Sequence, residues 1–267
     1  MRNLSNGMSK FLILFAVAAL PALLYPPLAS ADTISIGTAD SFAVLGASTV
    51  TNTHSSVVNG DLGVSPKTSI SGFPPGIVNG TIHDDDAVAT QAQTDALNKG
   101  YNVLKGLAVT QTLTGQDLGG LTLTPGVYFF ASSAQMTGAL TVNFEGLSNQ
   151  MIVFQIGSTL TTGSASSVLI INPGLNDQIW WQVGSSATLG TTTDFLGSIL
   201  AEDSITLNTD ATIGCGRAIA LTGAVTMDTN TIDTGCGAMP VPEPSMMLQL
   251  GLALAGLVAV MKWFNKA

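Results

Sequence analysis

Few side chains in this sequence are of types that do chemistry. The histidines are His54 and His83, and the cysteines are Cys215 and Cys236. His83-Asp84-Asp85-Asp86 puts metal-ligand types in a row, but aspartates ahead of a helix are explained by capping and by the helix dipole. Two cysteines with no histidine nearby cannot complete a tetrahedral metal set. In an oxidising space they read first as one disulfide, with two free thiols as the alternative. Glu202-Asp203 is a lone acidic pair on a turn, best read as a solvated corner. Arg217 is the only arginine beyond the N-terminal segment, too little positive charge to hold a carbanion as a lyase must. Neither a Gly-x-Ser-x-Gly elbow nor a zinc-ligand spacing occurs. The expectation is a protein that is not an enzyme, with no cofactor and no metal.

What is abundant is hydroxyl. A threonine, an apolar residue and then Thr, Asn, Gly or Asp recur as Thr122-Leu123-Thr124, Thr141-Val142-Asn143, Thr159-Leu160-Thr161, Thr188-Leu189-Gly190, Thr206-Leu207-Asn208 and Thr226-Met227-Asp228. The leading threonines are spaced by 19, 18, 29, 18 and 20 residues. A period near twenty in a strand- and turn-rich sequence predicts a solenoid with one coil per repeat. The long interval predicts a coil with an extra loop around Asn172-Pro173-Gly174-Leu175-Asn176-Asp177. Alternation turns Ile205 and Leu207 inward and Thr206 and Asn208 outward. Stacked strands lie ~4.8 Å apart and residues i and i+2 ~6.7 Å apart, so the outward residues form a flat, nearly rectangular grid. Its candidate members, from the last three coils, are Thr188, Thr191, Thr206, Asn208, Thr209, Thr212, Thr226, Thr229 and Thr231. Cys215 and Cys236 are about one coil apart, which suits neighbouring rungs.

The elements around the grid follow from composition. After Asp84-Asp85-Asp86 a helix is predicted over about 85–107, with Val88, Ala92, Ala96, Leu97, Tyr101, Leu104 and Ala108 as its apolar stripe. Gln91, Thr94, Asp95, Lys99 and Lys105 form the opposite, polar face. The chain carries 17 acidic against 8 basic residues, a net charge of -9. An acidic, lysine-poor surface argues against nucleic acid and against anionic membrane surfaces. Both ends read as addresses. Arg2 and Lys10, the apolar run Phe11 to Leu24 and Ala29-Ser30-Ala31 have the order of a secretory signal peptide over 1–31, to be cut by signal peptidase. An uncleaved anchor is the alternative. A second apolar run predicts a transmembrane helix over about 246–264, followed by Lys262 and Lys266, which would leave the C-terminus in the cytoplasm. One domain is expected between, over 32–238.

Two resemblances add to this reading. Val241-Pro242-Glu243-Pro244, a span and a short basic tail resemble the PEP-CTERM sorting signal of bacteria over 239–267. That implies processing by an exosortase and a destination outside the cell, with a transient C-terminal anchor. The mature chain resembles the ice-binding family of bacteria, fungi and algae. The residues that carry this run in one order: Leu45-Gly46-Ala47-Ser48-Thr49-Val50-Thr51-Asn52-Thr53, Val58-Asn59-Gly60-Asp61-Leu62-Gly63-Val64-Ser65-Pro66, Gly72-Phe73-Pro74-Pro75-Gly76, Asp117-Leu118-Gly119-Gly120-Leu121-Thr122-Leu123-Thr124-Pro125-Gly126-Val127-Tyr128, Phe154-Gln155-Ile156-Gly157-Ser158-Thr159-Leu160 and Trp181-Gln182-Val183-Gly184-Ser185-Ser186-Ala187-Thr188-Leu189-Gly190. It implies a discontinuous right-handed β-helix with a helix packed alongside, and a flat β-face that adsorbs to ice. Some strongly active members carry Thr-(Ala/Gly)-x-(Thr/Asn) on that face. Thr209-Asp210-Ala211-Thr212 departs from it with an acidic residue, which implies moderate activity.

The expected function is therefore adsorption to the surface of ice crystals by a single chain, inhibiting ice growth and recrystallisation. A matrix or adhesion protein exported with exopolysaccharide is the alternative. The feature that separates them is a flat threonine grid against a groove lined with aromatics, and Trp180-Trp181 is the place to look.

Overall fold

A computed structural model of the protein describes residues 33–235. The signal-peptide region, Cys236, the sorting motif at Val241 to Pro244 and the span predicted over 246–264 all lie outside the described residues. Among the described residues no helix is long and apolar enough to cross a membrane.

Three parallel sheets wrap one core as a β-helix, each coil giving one strand to each sheet; we call these faces A, B and C. Among the described residues they hold nine, seven and eight strands. The chain does not wind from one end to the other. After a 3-10 turn at Gly37–Ser41 it lays down the coil Phe42–Gly46, Val50–Thr53 and Val57–Asn59, then Asp61–Val64, Ile70–Ser71 and Ile77–Val78, and ends this end with Ile82–Asp84. A helix then carries it to the opposite end. From Gln111–Thr112 it winds back coil by coil until Ala218–Ala220, Val225–Asp228 and Thr231–Asp233 dock in parallel on the first coil of the sequence. The solenoid is thus discontinuous in sequence and continuous in space.

The core is built of vertical stacks, because the same position of each coil meets its equivalent ~4.8 Å away. Tyr128, Phe154, Trp181, Ile199, Ala218, Val44 and Leu62 form one such column on face A. Its aromatic part is tightly stacked: the Phe154 and Trp181 ring centroids are 3.9 Å apart at 12°, and Phe195 closes on Trp181 at 4.8 Å. The extra loop predicted around 172–177 is present, between the strands Ser167–Ile171 and Gln178–Val183.

Face A is buried on both sides, since the helix lies across its outside. Asp86 caps the helix, its Oδ1 accepting the Ala89 N–H at 2.8 Å. The helix runs over Ala87–Asp95, widens to a π segment over Ala96–Tyr101 and finishes over Asn102–Lys105. Gln155 holds its far end, with Nε2 donating to Leu104 O at 2.7 Å and Leu107 O at 2.9 Å, carbonyls that a helix terminus leaves unpaired. The apolar stripe needs correction. Ala89, Ala92, Ala96, Gly100, Tyr101 and Leu104 face the sheet, whereas Val88 and Leu97 are about two-fifths exposed and Ala108 is exposed. The π turn shifts the helical phase, which a constant period does not anticipate. Asp95, expected on the polar face, is buried. It accepts the Thr38 N–H at 2.9 Å and the Lys99 ammonium at 3.0 Å, tying the helix to the 3-10 turn. Gly37 sits at φ +63°, and a Cβ there would come within 2.4 Å of the Asp95 carboxylate.

Two outcomes follow. Trp181→Ala should lower unfolding free energy by about 3–5 kcal/mol in a denaturant titration, because the rigid column cannot close over the void. The Thr38 N–H, then Lys99 and Gln91, hold the Asp95 carboxyl at about 2, below its ordinary 3.8. A depressed folded pKa gives stability that is present above the ordinary value and lost as pH falls through the depressed one. The melting temperature should therefore fall between pH 4 and pH 2, and Asp95→Asn should flatten that fall.

Candidate functional site

Face A is covered by the helix, which leaves faces B and C. Face B carries a single outward column in unbroken register: Gln135, Thr161, Thr188, Thr206, Thr226, Thr51 and Ser71. Five successive rungs are threonine. Each is flanked by inward apolar residues such as Ile205 and Leu207, both buried, so alternation fixes the outward direction of the hydroxyl and methyl. The residues just before each strand make a second column of small side chains, with Thr159, Ser186, Ser204, Ala224 and Thr49 on the central rungs, all but the alanine bearing a hydroxyl. No bulge interrupts any pairing on this face, whereas face A shifts register between Phe42 and Val44. Regular strands and short side chains of similar height make face B flat.

Face C is not equivalent. Its outward positions mix Leu169 and Ile171, both more than two-fifths exposed, with Asp194, Thr212, Thr231 and Asp233. Thr212 Oγ1 donates to Asp194 Oδ1 at 3.0 Å. A surface of alternating charge and aliphatic side chains presents water with no repeating pattern.

The nine residues expected on one grid are therefore divided. Thr188, Thr206 and Thr226 lie together on face B. Thr212 and Thr231 lie on face C. Thr191, Thr209 and Thr229 lie on the corner between the two, and Asn208 stands at the face B border, one position before that corner. Thr209 and Thr229 each donate a hydroxyl hydrogen to Asp228, at 2.7 and 3.1 Å. The spacing series itself mixed surfaces: Thr122 and Thr141 pair on face C, while Thr159 belongs to the second column of face B rather than to the ladder. Thr161 and Thr51, two of the five central rungs, were missed. Thr51 could be found only by knowing that the first coil of the sequence stacks on the last.

Corner geometry supports the flat face from below. Ala165, Thr192, Asp210, Thr229 and His54 all take positive φ, between 55° and 64°, and they stack rung on rung. Asp210 is thus a corner residue turned away from the ladder. Beneath the corner runs a buried polar column of Ser166, Thr193, Ala211, Asn230 and Ser56. Thr162 and Thr193 share a hydrogen bond of 2.8 Å, and the Asn230 amide donates to Asn208 O and Ala211 O at 2.9 Å each. These bonds satisfy turn carbonyls that would otherwise be buried unpaired.

His83, at the head of the row considered for metal, lies with Nδ1 2.7 Å from the Asp86 carboxylate, which accepts, and packs against Phe42. No cluster of three or more ligand residues forms among the described residues. Cys215 is half-buried where face C turns towards face A and is not a free thiol.

A parallel β-helix with a helix over one face and an in-register, uncharged threonine ladder on another defines a solenoid that presents a repetitive surface. Residues 44–233 match the model of a family described as Ice-binding-like. The chain is 52% identical over 264 residues to the ice-binding protein of Nostoc sp. (strain HG1), the match covering 96% of each chain. It is 31% identical to the ice-binding protein of Flavobacterium frigoris (strain PS1) over 75% of this chain and 76% of that one. The crystal structure of an ice binding protein from an Antarctic biological consortium superposes with a TM-score of 0.72 at 47% identity, over 76% of this chain and 91% of that one. That of an ice-binding protein from the Antarctic ascomycete Antarctomyces psychrotrophicus gives 0.71 at 37%, over 76% and 98%. The chain belongs to the ice-binding family.

Asn230→Ala should lower stability by about 1–3 kcal/mol, since it removes the amide donor to the buried Ala211 carbonyl and the acceptor of the Asp228 N–H. A thermal melt followed by circular dichroism checks this; the strand signal below the transition should be unchanged.

Proposed function

We propose that this protein adsorbs to ice through face B and so inhibits ice growth and recrystallisation. The observation that carries the reading is the in-register ladder Thr161, Thr188, Thr206, Thr226 and Thr51. Its hydroxyls and methyls repeat at ~4.8 Å along the solenoid, and the second column stands ~6.7 Å away. The backbone fixes these positions before contact, so ordering a water layer over them costs little conformational entropy. The hydroxyls bind that layer and the methyls shape it, and the layer then merges with the crystal. Adsorbed molecules make the front bulge between them, and the raised curvature stops growth. No turnover is involved.

A sugar-binding, adhesive role has less support. Trp180 and Trp181 are both buried, one beneath the helix and one in the core, so this strand offers no aromatic platform. The export signals fit a protein that meets ice outside the cell after signal peptidase and exosortase have acted. Pairing of Cys215 with Cys236 would then close the last coil in an oxidising medium, as the bonded state of Cys215 supports.

Thermal hysteresis and ice recrystallisation assays on the purified protein test the face. Thr206→Tyr should abolish most activity while changing stability by less than about 1 kcal/mol, as outward strand positions usually do. Thr212→Tyr and Thr231→Tyr, on face C, should leave activity unchanged. Loss in the face C variants instead would move the site there; no activity in the wild type would remove the ice reading.

A further inference from the structure

Face B has one outward position where a charge stands. Asp228 ends the strand Val225–Asp228, two residues beyond Thr226, and pairs with Thr53 of the first coil. It stands two residues past its ladder threonine, as Gly190, Asn208 and Thr53 do on the other central rungs, and these positions make a third column. Thr53 pairs with it directly, while towards Asn208 the pairing ends at Thr206 and Thr226 and the extra residue Thr209 bonds to it. Across the rungs from Ser133 to Ser71, no other outward residue of the three columns is charged. The carboxylate does not swing free. Thr209 Oγ1 donates to it at 2.7 Å, Thr229 Oγ1 at 3.1 Å, and His54 Nδ1 lies 2.8 Å from Oδ1. The Thr209 hydroxyl first, then His54, hold its carboxyl below the usual range, so it is anionic wherever the fold persists near neutrality. Of the groups facing it, Asp210 on the adjoining corner is also acidic, and His54, exposed over 70% of its side chain, is the only cationic candidate.

We propose that Asp228 is a boundary residue, confining the ice-ordering surface to two columns and setting its width. This rests on the reading of face B as the ice face. An ionised carboxylate keeps a tightly bound hydration shell whose removal is costly, and that shell follows the charge rather than the threonine spacing. Ordered water extending from the ladder therefore stops one column short of the corner. Asn208 and Thr53, uncharged and on either side of Asp228 in the same column, would otherwise continue the pattern. Thr209 and Thr229 are withdrawn from the surface by the same residue, because their hydroxyl hydrogens point at its carboxylate.

Asp228→Asn removes the charge and keeps one oxygen acceptor, replacing the other oxygen, and with it the acceptor of one threonine, by an amide NH2. Purified wild type, Asp228→Asn, Asn208→Asp, the combination of these two and Thr206→Tyr would be compared at equal concentration for thermal hysteresis, with melting temperature as the folding check. Freeing the third column widens the span between outer columns from ~6.7 to ~13 Å, so Asp228→Asn should raise hysteresis about twofold. Asn208→Asp, which adds a carboxylate to a column that Asp228 already excludes, should leave it unchanged, and should cancel the gain when combined with Asp228→Asn. A folded Asp228→Asn with unchanged or reduced activity would overturn the proposal and leave Asp228 a corner pin. Should Asp228→Asn melt too low to assay, Asp228→Ser takes its place: unchanged or reduced activity there overturns it equally. Activity that survives Thr206→Tyr, or is missing in the wild type, would instead strike the underlying assignment of face B.

Discussion

Parallel stacking in register is the constraint on which everything else in this molecule depends. Each coil hydrogen-bonds only to the coils above and below, so a residue's neighbours are the same position of the next rung. Inward, this makes columns such as Tyr128, Phe154 and Trp181, in which aromatic rings must meet aromatic rings. Outward, it makes the threonine ladder. The two are one arrangement seen from opposite sides: Ile205 and Leu207 hold Thr206 in place because alternation ties the direction of one to the burial of the others. A flat face is thus a by-product of a well-stacked core, and its precision comes from packing that the face itself does not supply.

The corners show what that regularity demands. A coil that turns between sheets must leave the strand region of backbone space, and here it does so with left-handed residues that are not glycine: Ala165, Thr192, Asp210, Thr229 and His54. Each costs of order 1–2 kcal/mol relative to ordinary backbone. The buried column of Ser166, Thr193, Asn230 and Ser56 offsets this by satisfying the turn's polar groups. Choosing Thr and Asp over Gly at the corner also restricts the unfolded chain, which favours a rigid edge beside a surface that must not deform.

The solenoid, its period, the extra loop at 172–177 and the helix with its Asp86 cap were legible in the residues. The face was legible only in part, for a physical reason. With three strands per coil, Thr-apolar-Thr satisfies alternation on any of them, so Thr122 and Thr141 looked like rungs of a ladder that they do not join. Period alone reports that a coil repeats, not which side of it a strand occupies. Similarly, a constant helical phase misplaced Leu97 and Ala108, because the π segment at Ala96–Tyr101 inserts its shift where Gly100 lets the helix close on Leu200; Val88 and Asp95 precede that segment, where Ala89 and Ala92 set the buried phase. Trp180 and Trp181 could be assigned to opposite sides of one strand, but that both sides are buried follows from the helix lying outside, which no local pattern states.

The break in chain order has its largest consequence at face B. Thr226 and Thr51 are adjacent rungs although 175 residues separate them. The seam between the last coil and the first therefore runs through the ladder, not at its end. What closes that seam is polar and specific. Arg217 donates to Asp40 O at 2.9 Å, to Phe42 O at 3.3 Å and to Ser198 Oγ at 3.1 Å, spanning three coils behind the face, and His54 reaches Asp228 in front of it. Apolar stacking, Val44 on Ala218 and Leu45 on Ile219, is non-directional and would tolerate the first coil sliding by a fraction of a rung. A guanidinium fork on fixed carbonyls does not, because its donors have one geometry. The seam is held by directional bonds at the point where the ladder needs continuity of spacing rather than mere attachment.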